Sequence, residues 1–468
     1  MAKPFKYIEN LTISTVTHEG KGMGREEGKV IFVDYALPGD KVRVRISKSK
    51  KDYAIGTINK LIEPSLDRVE PSCGHFGLCG GCKWQHADYN KQLEYKEKIV
   101  KESFERIGKI SFLENLKIKG NKEIFYYRNK LEYTFSAKRW LTTEEIESGE
   151  EIERRALGFH IPGQFGKVIN IDNCFLQDNR SNLIRNELRE FALIENLSFY
   201  NIQEHEGLLR NIIIRNTTLD EWMVIVSFGG RNMDEIKLVM EFLKNKYRFI
   251  TSLYYVINLK MNDTIFDLPL VLYNGKPSIT EQLGHCLFEI SPKSFFQTNS
   301  IQAKELYDVA LNFANIKPND LVYDLYTGTG SIACYIAHLC KKVVGIEYIP
   351  EAINDAKKNA ALNKIENATF YSGEVEKILD NAFIDQNGRP DIIITDPPRS
   401  GMHKDVIEKI LEISPQKIVY ISCNPATQAR DVQLLSEKYV PVKSQPLDLF
   451  PHTYHIENVA LLIRKEDK

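Results

Sequence analysis

The sequence predicts a multidomain fold: a small amino-terminal β-barrel, a central α+β domain and a carboxyl-terminal α/β doubly wound sheet. Three observations carry this expectation. Between residues 7 and 62 short alternating stretches are separated by Gly-rich or Pro-Gly turns, the pattern of short strands that close on themselves. Between residues 125 and 283 the pattern is mostly strands, with one helix near 178–191. From Lys293 onward strands alternate with helical stretches, the order of a parallel sheet covered by helices on both faces. A length of 468 residues agrees, being too long for one ordinary domain. The expected boundaries are 1–66, 67–286 and 287–468.

The barrel strands are read at 12–16, 29–33, 40–46 and 54–58. In Val42-Arg43-Val44-Arg45 alternation puts apolar side chains inward and guanidinium groups outward. A formal net charge of -1 decides nothing about nucleic acid, but residues 1–60 carry 12 Lys+Arg against 7 Asp+Glu, with a basic cluster at Ser47-Lys-Ser-Lys-Lys51. An ordinary solvated barrel face would show isolated charges of this kind too. Pro64 and Pro71 bracket a polar linker, followed by a Cys-rich segment and a helix near 89–107. The hydrophobic fraction of 43% and charged fraction of 27% are those of a soluble protein, and no apolar run is long enough to span a bilayer. The start, Met1-Ala-Lys-Pro-Phe-Lys6, lacks the apolar stretch of a secretory signal. The expectation is a cytoplasmic monomer without a membrane partner.

In the carboxyl-terminal part, Leu321-Val-Tyr-Asp-Leu-Tyr-Thr-Gly328-Thr-Gly330 reads as a buried strand entering a Gly turn, with a helix at 331–338. A second strand, Lys342-Val-Val-Gly-Ile-Glu347, ends on an acid 17 residues beyond Gly330, near the spacing at which an acid binds ribose hydroxyls. A third runs into Gly373-Glu374, and a fourth ends on Asp396-Pro-Pro-Arg399. The six-residue dinucleotide pattern is absent, since Ala333 stands at its third glycine, and no pyrophosphate cradle is evident. A nucleoside without phosphates fits better, and S-adenosylmethionine is such a ligand. Asp324, Gly328, Gly330, Glu347 and Asp396 fall at strand ends on one side of the sheet, where the ligand crevice of such folds lies.

A fifth strand, Lys417-Ile-Val-Tyr-Ile-Ser-Cys423-Asn-Pro425, delivers a thiol to the same edge. Cysteine on an apolar strand is most often buried structure, but Ser422, Asn424 and Pro425 end the strand and put this thiol at a rim. Further on, His452-Thr-Tyr-His455-Ile-Glu457 supplies two imidazoles and a carboxylate, a general base for a covalent mechanism.

On these residues the sequence resembles the RNA uracil-5-methyltransferase family, S-adenosylmethionine-dependent enzymes that make 5-methyluridine in ribosomal and transfer RNA. The matching motifs are Phe295-Phe-Gln297-Thr-Asn299, Asp324-Leu-Tyr-Thr-Gly-Thr-Gly330, Asp396-Pro-Pro-Arg-Ser-Gly401, Ser422-Cys-Asn-Pro425 and His452-Thr-Tyr-His-Ile-Glu457, five in family order. The barrel looks like the OB-like TRAM domain of some members. The resemblance implies a Rossmann-like methyltransferase domain, with Gln297, Tyr326, Glu347 and Asp396 at cofactor-binding positions. Cys423 matches the nucleophile and Glu457 the base. Ser331 stands where asparagine is common and Glu374 where asparagine or aspartate is common; both are carried over as cofactor contacts. The chemistry is consistent, because carbon 5 of uracil attacks a sulfonium methyl group only after a thiolate has added to carbon 6. Asp396 or a nearby donor is expected at the pyrimidine edge, and His452 and His455 are expected to position or pack.

The remaining cysteines divide by context. Cys73-Gly-His-Phe-Gly-Leu-Cys79-Gly-Gly-Cys82 places three thiols within ten residues, and in a reducing compartment such a group points to metal. Cys174 is the best fourth ligand, because Cys286, Cys334 and Cys340 sit in apolar or helical contexts; His75 is an alternative. Zinc and an iron–sulfur cluster both accept four thiolates, and a close triplet with one remote cysteine favours the cluster. The resemblance implies that Cys73, Cys79, Cys82 and Cys174 match the ligands of a [4Fe-4S] cluster in cluster-bearing members, placing it in the central domain with a structural or RNA-docking role.

The expected partner is RNA carrying a single-stranded or loop uridine, since the base must leave its stack. Candidate contacts are Lys50, Lys51, Arg128, Lys130, Tyr133 and Phe135, although the rings equally suit a strand core. By resemblance the substrate is 23S ribosomal RNA. The alternatives are transfer RNA, a non-catalytic RNA-binding protein, and a methyltransferase acting on a nucleobase nitrogen or protein glutamine. None of the non-uracil alternatives needs the Cys423 and Glu457 pair.

Overall fold

The computed structural model describes residues 6–466. Met1 to Phe5, on which the reading of the chain's start rests, lie outside the described residues. Five strands, β1 (Tyr7–Val16), β2 (Gly22–Glu26), β3 (Lys29–Asp34), β4 (Lys41–Ser49) and β5 (Tyr53–Glu63), form a closed barrel in the order β1-β2-β3-β5-β4. Leu11, Ile13, Ile31, Val33, Val42 and Val44 fill it, while Arg43 points outward to Glu9 at 2.9 Å. Strand β2 has no counterpart in the expected set because Gly22-Met-Gly24 lacks alternation. Its glycines are nevertheless required there: a Cβ at Gly24 would lie 2.5 Å from the Thr12 carbonyl, and one at Gly22 2.6 Å from that of Ala36. The stretch between Pro64 and Pro71 is pinned to the barrel by Arg68, whose guanidinium sits 2.7 Å from the fully buried Asp40.

Helix α1 (Tyr89–Ser103) starts on the Asp88 cap, whose carboxylate accepts from the Asn90 amide at 2.9 Å. The two-residue strand β6 (Glu114–Asn115) follows. The central sheet is built from β7 (Lys130–Ser136), β8 (Ala156–Ile161), β9 (Gln164–Asn170), β10 (Leu209–Asn216), β11 (Trp222–Phe228), β12 (Ile250–Ile257) and β13 (Val271–Gly275), in the order β13-β12-β11-β10-β7-β8-β9. The structure corrects the expectation of one helix in this region. Besides α2 (Thr143–Ser148) and α3 (Asn179–Ile194) there is α4 (Met233–Lys246). Ile236, Val239, Met240 and Leu243 line the buried face of α4 at helical spacing. A second correction concerns Tyr133 and Phe135, named above as RNA contacts. They are 0% and 1% exposed, because period-2 alternation on β7 turns both into the core under α3.

Hairpin β14 (Ile279–Leu283) and β15 (Cys286–Ile290) crosses the expected border at 286/287. Beyond it, α5 (Ser300–Ala314) precedes β16 (Leu321–Leu325), α6 (Ser331–Ile336), β17 (Lys342–Glu347), α7 (Pro350–Leu362) and β18 (Ala368–Ser372). Then come α8 (Val375–Ile378), α9 (Asn381–Asn387), β19 (Ile392–Thr395), α10 (Lys404–Ile413), β20 (Lys417–Ser422), α11 (Pro425–Leu435), β21 (Tyr439–Leu447) and β22 (Glu457–Arg464). These form an eight-stranded sheet, β18-β17-β16-β19-β20-β22-β21-β6. β16 to β20 pair in parallel and β22 runs antiparallel to both neighbours.

The last strand of that sheet is β6, paired through Glu114 with Lys443. Val100, Phe104 and Phe112 share a core with Ala429, Val432 and Tyr439. The segment from α1 to β6 therefore packs on the carboxyl-terminal sheet, although the expected boundaries assign it to the central unit. Two polar residues in β6 carry no strand signature of their own. Among the described residues no helix is long and apolar enough to cross a membrane.

Candidate active site

The turn after β16 is shaped by positive φ angles at Tyr326 (63°), Gly328 (55°) and Gly330 (75°). At Gly330 a Cβ would lie 2.9 Å from that of Ala356, whereas nothing stands within 4 Å of a Cβ at Gly328. The first glycine thus leaves open room over the backbone, and the second lets α6 sit close to α7. Glu347, at the end of β17, accepts hydrogen bonds from the amides of Gly328 at 3.1 Å and Ile349 at 3.0 Å. Asp324 is wholly buried; one carboxylate oxygen accepts from the Thr327 hydroxyl and from the Ala333 amide at 3.0 Å, and the other has no partner. Burial pushes its carboxyl up to about 7. An orphaned buried oxygen beneath an open glycine turn fits a polar ligand such as S-adenosylmethionine.

The other expected cofactor positions lie on the segments that lead into α5 and α6 and that follow β18 and β19. Ser331 opens α6 and bonds the Tyr307 hydroxyl at 2.8 Å. Glu374 follows β18 and pairs with Lys377. The Gln297 carbonyl accepts from the Asn129 side chain at 2.9 Å, which fastens the loop before α5 to the central domain. Asp396 follows β19, with its amide on the Leu325 carbonyl at 3.3 Å.

Register brings the proposed nucleophile and base together. In the β20–β22 ladder Ile421 faces Val459 and Ser422 faces Asn458, so Cys423 and Glu457 occupy the next facing positions at the ladder's end. Burial pushes the Cys423 thiol up to about 11; the charges of Glu457 and Asp396 add to this, and the charge of Arg399 opposes it. Glu457 is 5% exposed. Burial holds its carboxyl well above the usual range, Asp396 raises it further and Arg399 lowers it. Burial likewise takes Asp396 to about 7.

Arg399 is the residue of this edge whose role the sequence reading left unassigned, although it stands in the Asp-Pro-Pro-Arg motif. Its carbonyl accepts from the Asn424 side chain at 3.0 Å and the Thr427 hydroxyl at 3.2 Å. These bonds tie the 396–401 loop to the loop bearing Cys423.

The segment 448–457 leads into Glu457 and is held from several sides. Asp448 and Lys96 form a fully buried ion pair at 2.6 Å, and the Tyr127 hydroxyl donates to the Pro451 carbonyl at 2.9 Å. His452 stacks on Phe125 with centroids 4.6 Å apart. His455 faces the Tyr454 ring at 4.4 Å; burial, with Arg399 and Arg128 nearby, lowers its pKa to about 4. Arg128 lies 5.2 Å over the Phe450 ring.

The four expected metal ligands lie near one another. Cys79, Cys174 and Cys73 each add to the burial that raises the Cys82 thiol. Cys79 and Cys73 likewise add to burial in pushing Cys174 up to about 11. All four are free cysteines. Among the described residues no group of three or more His, Cys, Asp or Glu stands in a ligating arrangement. The His75 ring accepts from the Asp172 amide at 3.1 Å, which occupies one of its nitrogens.

The chain is 49% identical over 448 residues to an uncharacterized RNA methyltransferase of Bacteroides thetaiotaomicron, covering 95% of this chain and 99% of that one. It is 47% identical over 466 residues to one of Porphyromonas gingivalis, covering 98% and 100%. Residues 278–465 match the tRNA (Uracil-5-)-methyltransferase family model, and residues 8–58 match the TRAM domain. The chain belongs to the RNA uracil-5-methyltransferase family. Its barrel is a TRAM domain and its eight-stranded sheet is the Rossmann-like methyltransferase domain of that family. A solved structure of Pyrococcus abyssi tRNA (uracil-54, C5)-methyltransferase in complex with S-adenosyl-L-homocysteine superposes with a TM-score of 0.75 at 28% identity, covering 97% of this chain and 100% of that one.

Proposed function

We propose that this S-adenosylmethionine-dependent RNA uracil-5-methyltransferase acts through a covalent adduct between Cys423 and carbon 6 of a single-stranded or loop uridine, with Glu457 as the base. The observation that carries the reading is the facing register of Cys423 and Glu457 at the end of one ladder, with the positive charge of Arg399 opposing the rise of the thiol's pKa. Arg399 favours the thiolate. Addition of the thiolate forms a carbon–sulfur bond and moves the carbon 5–carbon 6 electron pair onto carbon 5, conjugated with oxygen 4. S-adenosylmethionine, when bound, supplies the electrophilic methyl group that carbon 5 takes. Glu457 then accepts the proton of carbon 5; the double bond re-forms as the carbon–sulfur bond breaks, and the thiolate is restored. The raised pKa of Glu457 makes its carboxylate a strong base in a site where water is scarce. Gln297, Tyr326, Ser331, Glu347, Glu374 and Asp396 would hold the methyl donor, with Glu347 suited to ribose hydroxyls.

Cys73, Cys79, Cys82 and Cys174 would hold a [4Fe-4S] cluster. Four soft sulfur donors, near enough that Cys73 and Cys79 add to the raised pKa of Cys82 and Cys174, suit such a group better than a hard cation. Lys50, Lys51, Arg128 and Lys130 would meet RNA phosphates. The substrate we favour is 23S ribosomal RNA. A second reading, transfer RNA, is supported by the end-to-end match to a tRNA uracil-54 enzyme.

The test is incubation of the purified protein with S-adenosylmethionine and either 23S ribosomal RNA or transfer RNA transcripts, followed by nucleoside mass spectrometry. We expect 5-methyluridine in the ribosomal transcript and a Cys423-linked adduct with 5-fluorouridine RNA. Product only in transfer RNA would select the second reading, and methylation without an adduct would overturn the mechanism.

A further inference from the structure

The backbone of His452, five residues before Glu457, is gripped from both sides by the segment that begins at Cys82. Its carbonyl accepts two hydrogen bonds, from the amides of Lys83 at 2.8 Å and Trp84 at 2.9 Å. Its amide donates to the Gln92 side-chain oxygen at 2.8 Å, and the Gln92 nitrogen lies 3.2 Å from His452 Nδ1. That same nitrogen donates to the Ala87 carbonyl at 2.9 Å, bracing Gln92 against the turn that leads into α1. Gln92 is 0% and His452 3% exposed, so water does not replace these bonds at low cost. His452 also has φ of 65°, a conformation a non-glycine residue keeps only where its surroundings fix it.

The grip continues on either side. Lys96, one turn beyond Gln92, holds Asp448 at 2.6 Å and the Phe450 carbonyl at 3.1 Å. Upstream, Lys83 follows Cys82 directly, and the Trp84 indole donates to the Gly20 carbonyl of the barrel at 3.1 Å. The Cys73 amide meanwhile donates to Gln85 at 2.8 Å. Residues 82–96 thus join the cysteine group to the strand that carries the base.

We propose that Gln92 and the backbone of residues 83–84 are positioning groups for the second half of the reaction. They fix the loop that ends at Glu457, and through Cys82 they make that fixing depend on how the cysteine group is held. The inference rests on Glu457 as the base. It assigns the cysteine group an action on deprotonation of carbon 5, and none on addition of Cys423 to carbon 6, because the hydrogen bonds from residues 83–96 reach the 448–452 stretch before Glu457, whereas the loop after Cys423 is bonded to the Arg399 carbonyl.

The two halves are separable by experiment. The Gln92→Leu variant should form the adduct with 5-fluorouridine RNA within about threefold of the wild-type rate. Its turnover on uridine RNA should fall about 10²-fold, the size of a lost base contribution, with a methylated protein–RNA adduct accumulating. Gln92→Glu, which keeps an acceptor for the His452 amide, should recover part of that turnover. Hydrogen exchange of the 448–457 amides should quicken about tenfold or more in Gln92→Leu, and equally when the protein as purified is stripped of metal with a chelator. A variant slowed equally in both halves would reduce Gln92 to a structural residue and overturn the proposal. Unchanged exchange on chelation would overturn the link to the cysteines. Glu457→Gln serves as the reference: if it accumulates the adduct and Gln92→Leu does not, the positioning role fails while the base stands. If neither accumulates it, the base assignment itself fails, and the exchange measurement still decides whether Gln92 and the cysteine group hold the loop.

Discussion

Cys423 at the sheet edge and Cys174 of the cysteine group differ less in acidity than in company. Burial raises Cys423 to about 11 and Cys174 to about 11 as well. Each has a guanidinium nearby, but Cys423 at the sheet edge lies beside two carboxylates, whereas Cys174 lies beside two further thiols, Cys79 and Cys73. A single thiol beside a cation and a base is equipped to add to carbon and leave again. Neighbouring thiols, once ionised, relieve their mutual repulsion by sharing a positive centre. Two thiols raised to a similar degree are thus the ones we propose for distinct roles in one chain, each set by what surrounds it.

Four measurements would break or sharpen that contrast. The largest effect is expected from Cys423→Ala, which should lower methylation by at least about 10⁴-fold and abolish the 5-fluorouridine adduct while iron content is unchanged; wild-type turnover would dissolve the distinction. Cys174→Ser should do the converse, removing iron and visible absorbance from anaerobically purified protein but leaving the adduct. Stoichiometric zinc without iron in the parent protein would replace the cluster by a zinc site.

Smaller in size is the pH dependence. The Cys423 thiol and the Glu457 carboxyl are both raised and both act deprotonated, so turnover should climb between pH 6 and 9, by up to roughly tenfold per unit while one ionisation limits. Cluster absorbance should stay flat over the same range, and a turnover profile falling with pH would contradict the assigned roles. Smallest is Lys50→Ala or Lys51→Ala on the exposed barrel turn. Each should reduce the salt slope of RNA binding by about 1, measured by titration at several ionic strengths, with no change in either thiol site.

Much of the candidate site's layout was legible in the sequence because strand ends announce themselves. Ser422-Cys-Asn-Pro425 and Asp396-Pro-Pro-Arg399 halt apolar runs with residues that cannot continue a strand, and the register then aligns Cys423 with Glu457. Arg399 went unassigned because a cation's partners depend on which loops meet, and that depends on Asn424 and Thr427 holding its carbonyl. The barrel was legible from alternation except at β2, where backbone crowding selects glycine in place of an apolar pattern. Helix α4 was hidden among strands despite a regular apolar face. The attachment of α1 and β6 to the far sheet could not be read locally at all. It resides in contacts such as Lys96 with Asp448, 352 positions apart.

That last separation has a consequence for how the molecule is made. The amino-terminal quarter of the chain leaves the ribosome with α1 bearing an unpaired buried-type lysine and β6 without a neighbour. Neither can be completed until Asp448 and β21 have been synthesised. The stretch 278–465 is correspondingly no self-sufficient unit: cut out alone, it would carry an open sheet edge along β21 and a bared face on α11. The carboxyl-terminal sheet is complete only when a segment from each end of the chain has joined it.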